Sequence, residues 1–203
     1  MASLLALSQF TTRGVPVTYY GEEIGMSEVK LPGSTSKDPI GRRFNWVPQF
    51  ILDWLNLYVN RDGCRTPMHW DDHEHAGFSD PGATPWLPIN KNYKQVNVKV
   101  EQNNGGSLLN VYRNLLRIRR ENAALQVGAI ELLDGAGKAN QLLAYMRKCD
   151  QEMVLVLINF CESECTFTNK TQCEQELFQI GKYKRSEEGH IVLHPLSGLV
   201  LST

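Results

Sequence analysis

The last third of the chain limits its fold more than any other stretch. Strand-like runs at residues 142–147, 153–159, 164–168, 176–180, 190–193 and 198–202 follow one another, separated by turn residues. Short runs rich in branched and apolar side chains pair with their neighbours and bury one face against a second sheet. The series predicts a small antiparallel β-sandwich, with His194-Pro195-Leu196-Ser197-Gly198 as the turn before the final strand.

Upstream the periodicity changes. Residues 107–121 predict a helix: Leu108, Val111, Tyr112, Leu115 and Ile118 fall on one side, and Arg113, Arg117 and Arg120 lie largely off it. Ser107, after the flexible Asn103-Asn104-Gly105-Gly106, fits an N-cap. Residues 1–10 read as a packed helix with Leu4, Leu5 and Leu7 near one face, broken by Thr12-Arg13-Gly14. Residues 15–20 form a β-rich run that ends at Gly21, and residues 30–39 read as loop. In residues 44–58, Phe44, Val47, Phe50, Ile51, Trp54, Leu55 and Tyr58 recur at spacings of three and four, which predicts an amphipathic helix. Its aromatic face is expected in a core. The alternatives are sugar stacking by Trp46 or Trp54, or an exposed patch that meets another subunit.

The 203 residues suffice for one domain or two small ones. They are too few for a complete barrel of eight strand-helix units, which takes about 250 residues. A net charge of -1 makes no electrostatic case for nucleic acid or an anionic membrane. No apolar run approaches the roughly 20 residues of a spanning helix. The five cysteines are an odd number without a CxxC pair. Cys161 and Cys165 could bridge, but reduced, partly buried thiols of a cytoplasmic protein fit this usage better. Asn169-Lys170-Thr171 is a glycosylation sequon, short enough to arise by chance.

The chemistry concentrates in Arg61-Asp62-Gly63-Cys64-Arg65-Thr66-Pro67-Met68-His69-Trp70-Asp71. Two guanidinium forks can grip hydroxyls or hold carboxylates, an indole can stack on a sugar face, and aspartates accept from sugar hydroxyls. That set suits a neutral polyhydroxylated ligand. The same residues could equally make a loop held together by its own Arg-Asp pairs. Asp71-Asp72-His73-Glu74-His75 has the right atoms for a metal, but adjacent residues do not converge as ligands usually do, and neither metal nor cofactor is expected.

The run resembles the Arg-Asp-x-x-Arg-Thr-Pro-Met-x-Trp-Asp segment of α-glucosidases and oligo-1,6-glucosidases of the α-amylase superfamily, glycoside hydrolase family 13. The resemblance continues through Ala76-Gly77-Phe78-Ser79 and Trp86-Leu87-Pro88. Gly14-Val15-Pro16-Val17-Thr18-Tyr19-Tyr20-Gly21-Glu22-Glu23-Ile24-Gly25-Met26 looks like the eighth strand of that family's barrel. Tyr93, Val96-Asn97-Val98 and the helix with Tyr112, Leu115, Arg117 and Arg119 are similar to its passage into the C-terminal domain. The resemblance implies an α/β plus all-β fold: residues 1–125 as the end of a (β/α)8 barrel with the loop after strand eight, and residues 126–203 as the sandwich. It implies that Arg61 and Arg65 lie near the aglycone side of a sugar pocket. One of Glu22 and Glu23 is expected to face that pocket, and the other to pair with an arginine of the following loop.

The family's catalytic residues are two carboxyl groups and a third acidic residue in an Asn-His-Asp signature, and no Asn-His-Asp occurs in this chain. By the resemblance Met1 falls inside the helix before strand eight, which explains its apolar start better than a signal peptide does. All three carboxylates are expected upstream. The implied function is the C-terminal part of a retaining α-glucosidase acting on maltose-like or isomaltose-like oligosaccharides. The isolated chain is expected to be inactive and to self-associate through its interrupted barrel. The alternatives are a sucrose isomerase or trehalose synthase fragment, or a non-catalytic protein resembling the heavy subunit of amino-acid transporters.

Overall fold

The computed structural model describes residues 1–57, 59–133, 142–150, 152–186 and 189–203. In chain order the helices are α1 (Ala2–Thr11), α2 (Pro39–Arg43), α3 (Gln49–Trp54), α4 (Val98–Gln102), α5 (Leu108–Glu121) and α6 (Ala123–Val127). The strands follow: β1 (Ala129–Leu132), β2 (Leu142–Cys149), β3 (Glu152–Asn159), β4 (Cys165–Thr168), β5 (Gln175–Ile180), β6 (Tyr183–Arg185), β7 (His190–Leu193) and β8 (Ser197–Ser202). They fall into two compact units, one of Met1–Val17 with Asn110–Thr203, the other of Thr18–Leu109.

The first unit contains a five-stranded sheet of order β1-β2-β3-β8-β5 and a three-stranded sheet of order β4-β7-β6, with every pairing antiparallel. Six of these strands, β2, β3, β4, β5, β7 and β8, are the runs anticipated from sequence. Short β1 and polar β6 carry no such signal and become strands through their partners. Leu155 and Leu157 of β3 meet Phe167, Ile191, Leu193, Leu199 and Leu201 in a core drawn from both sheets. The opposite face of β3, Val154, Val156 and Ile158, is equally buried. Helices α1 and α6 pack against it. Cover on both faces explains why residues 153–158 read as one apolar run and do not alternate. Gly198 marks the closest approach of α1, since a Cβ there would sit 2.4 Å from Leu7 Cδ2 and 3.2 Å from Leu4 Cδ2. Leu4, Ala6, Leu7 and Phe10 are the buried face of α1, whereas Leu5, expected with them, is 58% exposed.

Two arginines close the C-terminal end of α1, where helix carbonyls lack intrahelical partners. Arg119 of α5 donates to the carbonyls of Phe10 and Thr12 at 2.7 and 3.1 Å, and also to that of Gly14. Arg147 of β2, fully buried, donates to Thr11 O at 2.7 Å and to Gly128 O at 2.9 Å. Along α5, Tyr112, Leu115 and Ile118 are buried and Arg113, Arg117 and Arg120 exposed, as the periodicity implies.

The second unit is built of short helices and 3-10 turns, with no strand among the described residues. Ile24, Met68 and Leu109, flanked by Met26 and Val98, form a small core. Two expectations are corrected. Residues 15–20 make no ladder, because an extended segment becomes a strand only beside a partner, and Val15 and Val17 stand exposed. The helix expected over residues 44–58 shrinks to α3. Pro48 has no N–H and its ring collides with the carbonyl four residues earlier, so a helix begins near it and cannot run through it. Tyr58 lies outside the described residues. Trp46, Phe50 and Trp54 are 76, 72 and 82% exposed, so the aromatic face is not core in this unit.

Candidate functional site

The Arg61 segment is fastened by two acidic side chains. Asp38 starts α2, and its Oδ1 accepts the Ile40 N–H at 3.0 Å. The same carboxylate receives a two-pronged guanidinium, with Arg61 Nε to Oδ2 at 2.7 Å and Nη2 to Oδ1 at 2.9 Å. The Arg61 hydrogen bonds hold the Asp38 carboxyl well below the usual carboxylate range, and Asp38 in turn raises the guanidinium. Asp62 is fully buried. Its Oδ2 accepts from Ser36 Oγ at 3.0 Å, Lys37 N at 2.6 Å and Asp38 N at 3.0 Å. Burial by itself would push the Asp62 carboxyl up, but those donors outweigh it and the net shift is downward. Asn60 adds a further tie, its Oδ1 accepting from Ser36 Oγ and Asp62 N, each at 3.1 Å. Residues 36–38 and the 3-10 turn Arg61–Cys64 are thereby one hydrogen-bonded body.

Arg65 ends that body. Its N–H donates to Asp62 O at 3.0 Å, while its half-buried guanidinium makes no hydrogen bond or ion pair among the described residues. Next to it, Tyr20 Oη donates to Thr66 O at 3.1 Å, and the Arg65 charge acts on that phenol. Burial pushes the Tyr20 phenol up, with the neighbouring Tyr19 and Cys64 adding to the rise and Arg65 opposing it. Beyond Tyr20 the chain turns at Gly21, φ 89°, where a Cβ would lie 2.7 Å from Met26 Sδ, and enters the 3-10 turn Glu22–Ile24. Both glutamates are half-buried, and Glu23 Oε2 is buried without a hydrogen-bond partner among the described residues.

The structure thus joins the Arg61–Arg65 segment to the turn of Glu22 and Glu23 through Tyr20. Two loop arginines are held elsewhere: Arg61 by Asp38, and Arg42 by Ser36 O, to which it donates at 2.9 Å. Asp38 was not anticipated, although Asp-Pro at the start of a helix is its signal, an N-cap followed by a first-turn proline. A cavity of about 580 Å³ adjoins the segment, with Asn60 and Gly63 on one wall and Phe44, Val47, Leu52 and Leu57 on others.

Trp70 is half-exposed, and its N–H and that of Asp71 both donate to Ala76 O. His69 is buried with Nδ1 2.8 Å from Val96 O, and burial lowers its pKa. Asp71, Asp72 and His73 bring ligand-type atoms within 4.8 Å of one another. The two carboxylates already have partners: Lys99 Nζ lies 2.9 Å from Asp72, and His73 Nδ1 2.9 Å from Asp71.

Residues 1–128 match the family model of the alpha-amylase catalytic domain. The chain belongs to the alpha-amylase family. Among its relatives in the family, the oligo-1,6-glucosidase of Parageobacillus thermoglucosidasius is 32% identical over 82% of this chain and 30% of its own length. The probable alpha-glucosidase of Rhizobium meliloti is 37% identical over 81% and 27%. The glucan 1,6-alpha-glucosidase of Streptococcus pneumoniae is 34% identical over 88% and 34%. In three dimensions the chain superposes on the trehalulose synthase MutB of Pseudomonas mesoacidophila with a TM-score of 0.82 and 28% identity, covering 99% of this chain and 38% of MutB. A MutB variant has been solved with its substrate sucrose. The chain spans about a third of the length of the curated relatives it matches.

Proposed function

We propose that this chain is the C-terminal portion of a retaining α-glucosidase that hydrolyses α-glucosidic bonds of maltose-like or isomaltose-like oligosaccharides. Residues 1–125 would supply the end of a (β/α)8 barrel with the loop after its last strand, and residues 126–203 the antiparallel sandwich. The compact units divide elsewhere because α1 and most of α5 pack within the sandwich unit. The two carboxyl groups that protonate the leaving oxygen and attack the sugar would come from residues beyond these 203.

The Arg65 guanidinium carries the reading. A half-buried charge without a hydrogen-bond or ion-pair partner among the described residues, on a loop that Asp38 and Asp62 make rigid, is costly to the protein alone and useful toward a ligand rich in acceptors. Arg65 would donate to hydroxyls on the aglycone side, with Arg61 ordering the loop beside it and one of Glu22 and Glu23 facing the sugar from the turn. Hydrolysis is preferred because relatives named as glucosidases reach 37% identity. Isomerisation is the second reading, favoured by the likeness to MutB.

The test is turnover of nitrophenyl α-glucoside and maltose by the 203-residue chain and by a chain extended upstream to include Asn-His-Asp and the two earlier carboxylates. Activity is expected only in the longer protein. Turnover by the shorter chain, lost on changing Glu22 or Glu23, would refute the assignment.

A further inference from the structure

We propose that Asn169 is an acceptor for an N-linked glycan. Asn169-Lys170-Thr171 occupies the turn that follows β4, with Lys170 exposed and both flanking side chains half-exposed. Sequons serve as acceptors on surface turns, so this placement meets the first requirement.

The hydrogen bonds of the turn supply the second. Asn169 Oδ1 accepts from Thr171 N at 2.9 Å and from Thr171 Oγ1 at 2.7 Å. Asn169 Nδ2 donates to Cys173 O at 3.0 Å. A carboxamide nitrogen carries two hydrogens, and the second has no acceptor among the described residues. A glycosylated asparagine keeps one N–H. Both bonds at Oδ1 therefore remain when a hydrogen on Nδ2 is replaced by sugar, and the nitrogen keeps one N–H to donate. One side chain can hold the turn and carry the glycan.

The position also answers a need of the fold. β4 is an edge strand of the three-stranded sheet, and among the described residues its outer side pairs with no other strand. Such edges invite pairing with other chains, and proteins cover them. A bulky polyhydroxylated group at the end of β4 does so without altering the core.

In the transfer step Asn169 Nδ2 attacks the anomeric carbon of an oligosaccharide carried on a polyprenyl diphosphate. The new C–N bond forms as the C–O bond to diphosphate breaks, the electron pair leaves with the lipid diphosphate, and the displaced amide proton passes to a base of the transferase. The donor is found in a secretory lumen, contrary to the cytoplasmic location expected from cysteine usage. Two of the five cysteines do not forbid it. Cys165 and Cys173 are unbridged and buried, and burial pushes both thiols up, so neither is a ready nucleophile for oxidation.

The experiment is to express the whole 203-residue chain behind a cleavable secretory signal in a eukaryotic host and treat the product with peptide N-glycosidase F. One discrete loss of mass is expected, leaving aspartate at position 169 in the released peptide. Thr171→Ser should keep the glycan, whereas Thr171→Val and Asn169→Gln should lack it. Lys184→Asn, which creates a sequon on exposed β6, controls for folding and delivery. A protein glycosylated at that control position but bare at Asn169 overturns the proposal, and so does a glycan that persists in Thr171→Val.

Discussion

Replacing Asp62 by alanine tests whether the candidate site is one hydrogen-bonded body. The carboxylate is fully buried, and its Oδ2 gathers the Lys37 and Asp38 N–H groups and the Ser36 hydroxyl. A hydrogen bond to a charged acceptor is worth roughly 1.5–3 kcal/mol. Three bonds to one atom do not add, and the part-buried Lys37 amide recovers some of its loss by turning to water. The expected loss is about 2–4 kcal/mol for the opening of residues 36–38. At tenfold per 1.4 kcal/mol, hydrogen exchange of the Lys37 and Asp38 amides should quicken about 30-fold to 700-fold. Asp62→Asn should fall between, since its amide oxygen still accepts but carries no charge. Amides of Leu155 and Leu157, in the other unit, serve as internal controls and should not change. If the Lys37 and Asp38 amides stay within twofold of their original rates in Asp62→Ala, the carboxylate does not hold this loop.

Other outcomes follow from single contacts. Gly198→Ala places a methyl 2.4 Å from Leu7 Cδ2 and should cost about 1–3 kcal/mol, roughly 2–4 °C of melting temperature per kcal/mol. Combining it with Leu7→Ala should cost less than the sum of the two, and strict additivity in thermal melts would count against the packing described. Asp38 and Asp62 both have depressed carboxyl pKa values in the folded chain. Their stabilisation is present above the unfolded value near 4 and is lost as pH falls through the folded values, so the protection factor of the Lys37 amide, with its intrinsic exchange rate divided out, should fall on acidification below about pH 4 and stay flat from pH 6 to 8. In an active, longer protein Arg65→Ala should lower kcat/KM for disaccharides about tenfold to a hundredfold, from the 1.5–3 kcal/mol of a charged hydrogen bond. An early-melting variant that loses activity only in proportion to its unfolding would make Arg65 structural. Sedimentation of the 203-residue chain should show self-association that weakens in Val17→Lys, because Val17 is 77% exposed on an extended segment that pairs with no strand among the described residues. A monomer at all concentrations would contradict this.

Much of the fold is local information and could be read from the chain. Six strand-like runs, the apolar stripe of α5 and the concentration of chemistry in residues 61–71 all rest on periodicity or residue type within a few positions. The break at Pro48 was legible too, since proline acts on its own helix whatever surrounds it, but the three-and-four spacing of aromatics drew the reading toward one long helix. What only the tertiary structure decided are pairings between residues far apart in sequence. Arg61 could have met a carboxylate from any of several loops, and Asp38 holds it because α2 and the 3-10 turn Arg61–Cys64 come together in space. Arg119 and Arg147 find their acceptors only where the fold brings the end of α1 beside them. Residues 15–20 keep every strand-forming side chain and still make no strand, because ladder hydrogen bonds belong to a pair of segments and a sequence specifies only one of them.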